Sequence, residues 1–263
     1  MLSATSPLKT KMRLDLFVAE QGLAGSRSEA KSLILAGAVS VNGSVTKKPS
    51  MDVSEGDEVF VDRSFKKYVS RGGLKLEAAL DAFGIDPRGR LAIDIGASSG
   101  GFTDCLLQRG AVHVVAVDSG CGQMVESLRG DSRVTVIENF NARNMRPEDI
   151  EYTPSLAVMD VSFISARLII PAVHGVLSEG GEFVCLIKPQ FEVGKQGVGK
   201  GGIVRDARLR ESAVRDVCEF AQRIGFELLG TIVSPIEGGD GNIEFLARFR
   251  KVGVGFEKDN NRS

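Results

Sequence analysis

Short apolar runs alternate with helical patterns from residue 90 onward, and this alternation is the feature that most constrains the fold. Strand-like runs such as "RLAIDIG" and "VHVVAVD" are separated by segments with helical spacing, such as "GFTDCLLQRG" and "SARLIIPAVHGVL". Strands that alternate with helices predict a mostly parallel sheet that is covered on both faces. The last two of seven runs are joined only by the loop "SPIEGGDGN", which predicts an antiparallel last strand.

A separate small unit precedes this alternation. Two helical patterns, "RLDLFVAEQG" and "SRSEAKSLILAG", are followed by two alternating strands around Asn42-Gly43, a strong hairpin signal, and by a further strand in "EGDEVFV". We therefore expect an α+β domain at residues 13–62, a basic linker at 63–72 and the α/β domain at 73–252.

Composition and charge exclude several classes of protein. The chain of 263 residues is 43% hydrophobic and 25% charged, as expected for a globular protein. Four scattered cysteines and two histidines predict neither a disulfide frame nor a metal site. The first residues lack a signal peptide's apolar core and no run of 18 apolar residues occurs, so we expect a cytoplasmic protein that does not cross a membrane. Residues 1–75 carry 12 Lys and Arg against 8 Asp and Glu, which favours contact with a polyanion, although chance explains this modest excess equally well.

The first strand of the larger unit ends in a glycine-rich loop, "DIGASSGGFTD". Its spacing differs from the NAD fingerprint because Ser98 stands where the second glycine would be, and it lacks the lysine-serine of a phosphate-binding loop. Asp118 ends the second strand, where a carboxylate can accept both hydroxyls of a ribose. A nucleoside ligand without a diphosphate predicts S-adenosylmethionine; a nicotinamide cofactor or a purely structural turn stays open. The predicted cofactor-binding residues are Asp94, Gly96, Ala97, Ser98, Gly100, Gly101, Phe102, Asp118, Asn141 and Asp160.

Three charged residues mark strand ends on the same rim of the predicted sheet. Asp160 ends "SLAVMD", Lys188 ends "FVCLIK" and is held extended by Pro189, and Glu244 begins the antiparallel last strand. Methyl transfer to a ribose hydroxyl needs a base, and desolvation and nearby cations favour the neutral amine that lysine needs for this role. The two carboxylates favour the ammonium form, so we expect them to orient the amine and the hydroxyl. The alternative is an ion-pair cluster that only closes the sheet edge.

Other methyl-transfer chemistries fit these residues less well. Amino-methylation of adenine or cytosine commonly uses an Asn/Asp-Pro-Pro-aromatic turn, whereas this chain has "DVSF". Carbon methylation of pyrimidines needs a cysteine nucleophile, and Cys185 lies in the middle of a strand.

The small unit resembles an RNA-binding domain that is shared by a small-subunit ribosomal protein, pseudouridine synthases and tyrosyl-tRNA synthetases. The resemblance lies in "RLDLFVAEQGLAGSRSEAKSLILAGAVSVNG" and "EGDEVFV", and it implies a helix pair that packs on structured RNA with basic side chains on phosphates. A glycine-rich stretch, "EVGKQGVGKGGIVRD", is a candidate RNA-gripping loop or a plain solvated loop. The predicted RNA-binding residues are Arg13, Arg27, Lys31, Lys47, Lys48, Arg71, Lys195 and Lys200.

Residues 13–250 as a whole resemble the TlyA family, once labelled hemolysins, of ribosomal-RNA 2′-O-methyltransferases. The motifs are "YVSRGGLKL", "DIGASSGGFTD", "MDVSFIS", "LIKPQFE" and "GNIEFL". The resemblance implies a Rossmann-like class I methyltransferase fold, cytidine riboses of 16S and 23S RNA as substrates, and a catalytic Lys75, Asp160, Lys188 and Glu244. Lys75 is included on the resemblance alone. A membrane-active protein and a non-catalytic ribosome-assembly factor are the alternatives.

Overall fold

The computed structural model describes residues 2–4, 11–54, 56–62, 67–238 and 241–252. The chain divides into two compact units, Met1–Lys67 and Tyr68–Ser263, and each is described by itself below. The division falls within the basic linker predicted at 63–72, of which residues 63–66 lie outside the described ranges.

The smaller unit contains two helices and short antiparallel strands. The turn between β3 and β4 has positive φ at both Asn42 (50°) and Gly43 (76°), and its strands pair antiparallel, which confirms the predicted hairpin. Leu14, Val18 and Ile34 are fully buried between the helices and the sheet. The elements are β1 Leu2–Ala4, β2 Met12–Arg13, α1 Leu14–Glu20, α2 Arg27–Ala36, β3 Val39–Val41, β4 Ser44–Val45, β5 Asp52–Val53 and β6 Val59–Val61.

The larger unit is built on a seven-stranded sheet with the strand order β12-β13-β11-β10-β7-β8-β9. Strands β7 to β11 run parallel, and β13 is antiparallel to both of its neighbours, which confirms the predicted antiparallel last strand. The strands are β7 Leu91–Ile95, β8 His113–Val117, β9 Val134–Ile137, β10 Leu156–Met159, β11 Glu182–Ile187, β12 Phe226–Val233 and β13 Phe245–Lys251.

Helices cover both faces of this sheet. One apolar cluster contains Ile93, Phe183 and Val217, and the other, on the opposite face, contains Leu76, Leu106 and Val158. The alternation of side chains along each strand explains why neighbouring residues enter different clusters. The helices are α3 Gly72–Phe83, α4 Gly101–Gln108, α5 Glu126–Arg129, α6 Ile170–Val176, α7 Gly194–Gly197 and α8 Ala207–Ile224.

The helical pattern over residues 165–177 forms two elements instead of one. Ser165 caps a 3-10 turn at Ala166–Leu168, and α6 begins only at Ile170. Pro171 lies in the first turn of α6, where its missing N–H is tolerated, whereas the same proline would break a helix that began near residue 165.

The sheet register brings the predicted catalytic strand ends to one edge. Met159 pairs with Cys185 and Ile95, and Ile187 pairs with Phe245. Because β13 runs in the opposite direction, Lys188 after β11 and Glu244 before β13 leave the sheet on the same side. Asp160 leaves it from the next strand.

Candidate active site

Two adjoining pockets lie at the carboxyl edge of the parallel strands, where ligands bind in open α/β sheets. The larger, of about 610 Å³, is lined by Asp118, Asn141 and the residues that follow β7, β8 and β10. The smaller, of about 330 Å³, is lined by Lys75, Lys188 and the start of α3. Both pockets share a wall formed by Gly96, Ser98, Asp160 and Ser162.

The loop after β7 is tied to the loop after β8 by Asp118. Its carboxylate accepts hydrogen bonds from the backbone N–H of Ser98 (2.8 Å) and of Gly120 (2.6 Å). Ser98 adopts a left-handed φ of 48°, a conformation that glycine adopts more readily. At Gly96, with φ of 82°, a Cβ atom would collide with the carbonyl oxygen of Asp160. At Gly96 the loop therefore lies so close to the backbone that follows β10 that no side chain fits between them.

The remaining predicted cofactor residues take different positions around this loop. Ala97, Gly101 and Phe102 line the smaller pocket, whereas Gly100 is buried and does not line it. Asn141 lines the larger pocket, but its side-chain oxygen also accepts a hydrogen bond from the N–H of Arg143.

Asp94 is fully buried beneath the loop and lines neither pocket. One oxygen accepts a hydrogen bond from Thr103 Oγ1 at 2.7 Å, and Oδ1 has no hydrogen-bond partner in the described part of the chain. Burial is the main cause that raises the pKa of Asp94 to about 7; the hydrogen bond from Thr103 opposes this rise, and the negative charges of Asp160 and Asp118 add to it.

Lys188 lies at the wall between the two pockets. Its Nζ atom is 2.5 Å from Asp160 Oδ1, and it donates a hydrogen bond to Ser162 Oγ at 2.7 Å. The contact with Asp160 is an ion pair, and this oxygen accepts no hydrogen bond from the residues that the structure describes. Only 10% of the Lys188 side chain is exposed. The amine is thus fixed by two groups from the segment that follows β10.

Lys75 and Glu244 form a second, more deeply buried pair. Their Nζ and Oε2 atoms are 2.5 Å apart, and the side chains are 9% and 3% exposed. Lys75 reaches this position because α3 and α4 meet at their first turns: a Cβ atom at Gly101 would collide with Ser70 and approach the backbone of Gly73. The structure therefore brings all four predicted catalytic side chains to one rim as two ion pairs.

Known proteins match this chain along most of its length. The sequence model of FtsJ-like methyltransferases matches residues 68–251, and that of the S4 domain matches residues 12–59. The "16S/23S rRNA (cytidine-2'-O)-methyltransferase TlyA" of Mycobacterium tuberculosis is 46% identical over 241 residues, which cover 91% of this chain and 90% of that protein. Hemolysin A of Brachyspira hyodysenteriae is 45% identical over 90% of this chain and 99% of that protein. The chain belongs to the TlyA group of FtsJ-like methyltransferases.

A solved structure is also similar to this chain over most of its length. It is described as "Putative hemolysin from Streptococcus thermophilus", has a TM-score of 0.74 and 46% sequence identity, and matches over 93% of this chain and 90% of that one.

The S4 domain displays most of its predicted RNA-binding residues on its surface. Arg13 and Arg27 are 45% and 55% exposed, and both donate to Asp15, whose side chain is only 3% exposed. Arg13 bonds both carboxylate oxygens at 3.0 Å, and Arg27 Nε bonds one at 3.1 Å. Lys31, Lys47 and Lys48 are exposed.

The predicted RNA-binding residues of the methyltransferase domain differ from one another. Arg71 lines the smaller pocket and donates to the carbonyl oxygen of Glu237 at 2.6 Å, and burial lowers its pKa. Lys200 is exposed on the glycine-rich stretch, whereas the side chain of Lys195 lies outside the described structure. Buried Asn242 anchors this stretch by accepting from Val204 N and donating to Gly202 O, so its base is fixed.

Sequence reasoning missed three residues that the structure places beside Lys188. Ser162 accepts its hydrogen bond, and Gln190 Nε2 lies 3.5 Å from Glu244 Oε1. Phe163 is 92% exposed, has a φ of 65°, and its ring lies 5.4 Å from that of Phe191. Their position in the sequence could have indicated these residues, because each lies within two or three residues of Asp160 or Lys188.

Cys185 is fully buried within β11, and burial raises the pKa of its thiol well above the usual value. A protonated thiol inside a strand is a poor nucleophile. Within the described ranges, no three His, Cys, Asp or Glu side chains are placed to hold a metal ion. None of the helices in the described ranges has both the length and the apolar character needed to cross a membrane.

Proposed function

We propose that this protein transfers a methyl group from S-adenosylmethionine to a ribose 2′-hydroxyl in ribosomal RNA. The observation that carries the proposal is the position of Lys188 Nζ at the wall shared by two pockets, with Asp160 and Ser162 as its partners. One pocket suits a nucleoside donor and the other suits the hydroxyl that accepts the methyl group. A cytidine ribose is the proposed acceptor because the Mycobacterium tuberculosis relative carries that activity in its name.

The residues of the larger pocket fit S-adenosylmethionine. Asp118 follows β8 at the position where a carboxylate is expected to accept the hydroxyls of a ribose, and Gly96, which has no side chain, lines the same pocket. The buried carboxyl of Asp94 and the half-buried one of Asp160 give the region a negative character that suits a sulfonium cation. When bound, this donor supplies an activated methyl group and a positive charge.

Lys188 is the proposed general base. Its neutral amine would accept the proton of the ribose 2′-hydroxyl, and the hydroxyl oxygen would take the methyl group as the carbon–sulfur bond breaks. Asp160 and Ser162 fix the direction of the amine. Alignment of oxygen, methyl carbon and sulfur then contributes much of the rate.

Lys75 and Glu244 are proposed to complete the acceptor side. Lys75 lines the smaller pocket, and its pairing with buried Glu244 holds its ammonium group in place. A fixed cation there can orient the ribose or a neighbouring phosphate. The S4 domain, together with Lys195 and Lys200 of the glycine-rich stretch, is proposed to position ribosomal RNA through its backbone, and such a substrate places the activity in the cytoplasm.

Incubation of purified ribosomal subunits with methyl-labelled S-adenosylmethionine tests the proposal. We expect label in ribosomal RNA, and mapping of 2′-O-methyl riboses should find it on one or a few cytidines. Label on a base, or on protein, would contradict the assignment of the acceptor. A membrane-active protein or a non-catalytic assembly factor would transfer no label, so the assay separates methyl transfer from both alternatives.

Replacement of Asp15 by asparagine is expected to weaken binding of ribosomal subunits about tenfold and to leave donor binding unchanged. The carboxylate holds Arg13 and Arg27 together, and an amide cannot pair with two guanidinium groups. Binding can be measured by filter retention, with Asp57→Asn as a control. That exposed carboxylate of the same domain bonds Ser54 and Asn42 without an arginine. Equal affinities of the two variants would contradict the prediction.

The same contacts predict how the S4 domain responds to acid. Hydrogen bonding to Arg13 lowers the pKa of Asp15 to about 2 from 3.8. Stabilisation by this group is therefore fully present above pH 3.8 and is lost as pH falls towards 2. Because the two arginines are exposed to solvent, we expect this stabilisation to amount to about 1–2 kcal/mol. Thermal unfolding of the wild type and of Asp15→Asn between pH 3.8 and pH 2 measures it.

A further inference from the structure

Glu192 is a buried carboxylate that the proposed reaction does not use. It follows Lys188 by four residues, and only 2% of its side chain is exposed. Its two oxygens accept hydrogen bonds from Ser165 Oγ at 2.6 Å and from the backbone N–H of Ala166 at 2.7 Å. Arg167 Nε adds a contact at 3.3 Å. All three donors belong to the chain segment that leaves β10, and none to the segment of Glu192 itself.

These contacts join the two segments that carry the proposed catalytic residues. Residues 160–165 leave β10 and residues 188–192 leave β11, and the two strands are neighbours in the sheet. At the sheet edge the segments meet through Asp160 and Lys188, and farther out through the rings of Phe163 and Phe191. Glu192 connects their far ends. Both segments are thus fixed by strand pairing on one side and by one carboxylate on the other.

Helix α8 packs against both ends of this connection. It contacts the 3-10 turn Ala166–Leu168, whose first N–H bonds Glu192, and the 3-10 turn Pro189–Phe191, which immediately precedes Glu192. A carboxylate at the amino end of a short helical turn satisfies N–H groups that would otherwise lack partners. The carboxylate is therefore enclosed by structure on the side away from the pockets.

Glu192 contributes little net stability as an ionised group. Burial raises the pKa of its carboxyl above the usual 4.5, even though Ser165, Ala166 and Arg167 act in the opposite direction. Because the folded chain binds this proton more tightly than the unfolded chain, the free energy of unfolding falls as pH rises above 4.5 towards the folded value. A buried carboxylate that destabilises the folded state when it is ionised can still restrict its neighbours to one arrangement.

We propose that Glu192 is a positioning residue for methyl transfer, which holds the segment of Asp160 and Ser162 against the segment of Lys188. The inference rests on the proposed roles of Asp160 and Lys188. When this connection is lost, the two segments keep their strand-end contacts but gain freedom at their far ends. Displacement of a reacting group by about 1 Å can lower a rate by roughly 100-fold.

Variants of Glu192 test the inference when they are compared with a carboxylate at the opposite end of the same strand. Glu182 begins β11 and accepts from Arg90 at 2.6 Å and Arg248 at 2.5 Å, far from the pockets. We expect Glu192→Ala to lower kcat by roughly 30- to 100-fold with KM values for donor and subunits within about threefold of wild type. Glu182→Ala should change kcat less than about threefold.

The conservative variant Glu192→Gln provides the second measurement. A glutamine can accept from Ala166 N–H and donate to Ser165 Oγ, so it preserves both links between the segments. We expect Glu192→Gln to recover kcat to within about fivefold of wild type, and this isosteric variant remains informative if Glu192→Ala fails to fold. A Glu192→Gln rate as low as that of Glu192→Ala would overturn the role as a link, since charge and not connection would then be required.

The outcomes separate this inference from the proposed function. If Lys188→Met is inactive while Glu192→Ala keeps the kcat of Glu182→Ala, the positioning role is wrong and the catalytic assignment survives. If Lys188→Met retains full activity, the catalytic assignment itself fails. A loss in Glu192→Ala that appears only as a raised KM for subunits would also overturn the inference, because it would place Glu192 in RNA binding.

Discussion

Lys188→Met is expected to lower the single-turnover rate of methyl transfer by about 100- to 10,000-fold, the range associated with loss of a general base. Methionine has a length similar to lysine but cannot accept a proton. It also leaves Asp160 without its cation, so affinity for a positively charged donor should stay the same or rise. Quench-flow measurement of labelled ribose gives the rate, and calorimetric titration gives the affinity for S-adenosylmethionine.

A matched lysine in the same domain provides the control. Lys251, at the end of β13, is 11% exposed, donates to the carbonyl oxygen of Leu177 at 2.8 Å and lies 3.1 Å from Glu179. Lys251→Met removes a similarly covered amine on the opposite edge of the sheet, and its rate should stay within about threefold of wild type. Lys188→Arg adds a second comparison because arginine keeps the positive charge beside Asp160 but cannot be deprotonated. Activity in Lys188→Arg would show that charge alone suffices.

The sheet edge could be predicted from sequence because few rules determine it. Period-two runs locate the strands, alternation with helices makes them parallel, and a short last connection reverses the final strand. These rules place Asp160, Lys188 and Glu244 on one rim, and the register of β10, β11 and β13 puts them there. Residues that end strands are therefore the part of the site that local patterns reveal best.

Residues outside the strands depend on packing that local patterns do not encode. Lys75 meets Glu244 only because glycines let α3 and α4 approach closely, and no periodicity in "SRGGLKLEAAL" indicates that contact. Glu192 acquires its role from a contact between two irregular segments, and Asn141 uses its side-chain oxygen to cap a turn. The family resemblance identified Lys75 as a candidate residue, whereas the contacts of Glu192 became visible only in the structure.

Removal of one member of the Lys75–Glu244 pair is expected to be the most destabilising change in the methyltransferase domain. Both side chains are at least nine-tenths buried, so Glu244→Leu leaves a largely buried ammonium group without its partner. Breaking a buried pair in this way costs about 3–5 kcal/mol, which corresponds to roughly 10 °C in the unfolding midpoint of a domain of this size. Lys75→Met should have a similar effect because it leaves the Glu244 carboxylate buried without its partner. Differential scanning fluorimetry measures both.

The double variant Lys75→Met/Glu244→Leu separates folding from catalysis. Replacing both charges by apolar side chains of similar volume removes the stranded group, so most of the lost stability should return. Activity should not return, because the double variant lacks the Lys75 ammonium group that lines the acceptor pocket. The exposed pair Arg146–Glu148 offers a contrast: its atoms are 3.7 Å apart and both side chains are more than half exposed, so Arg146→Met should leave the midpoint unchanged. Recovery of methyl transfer in the stabilised double variant would show that the pair serves the fold alone, and the proposed acceptor site would then consist of Lys188 and Asp160 without it.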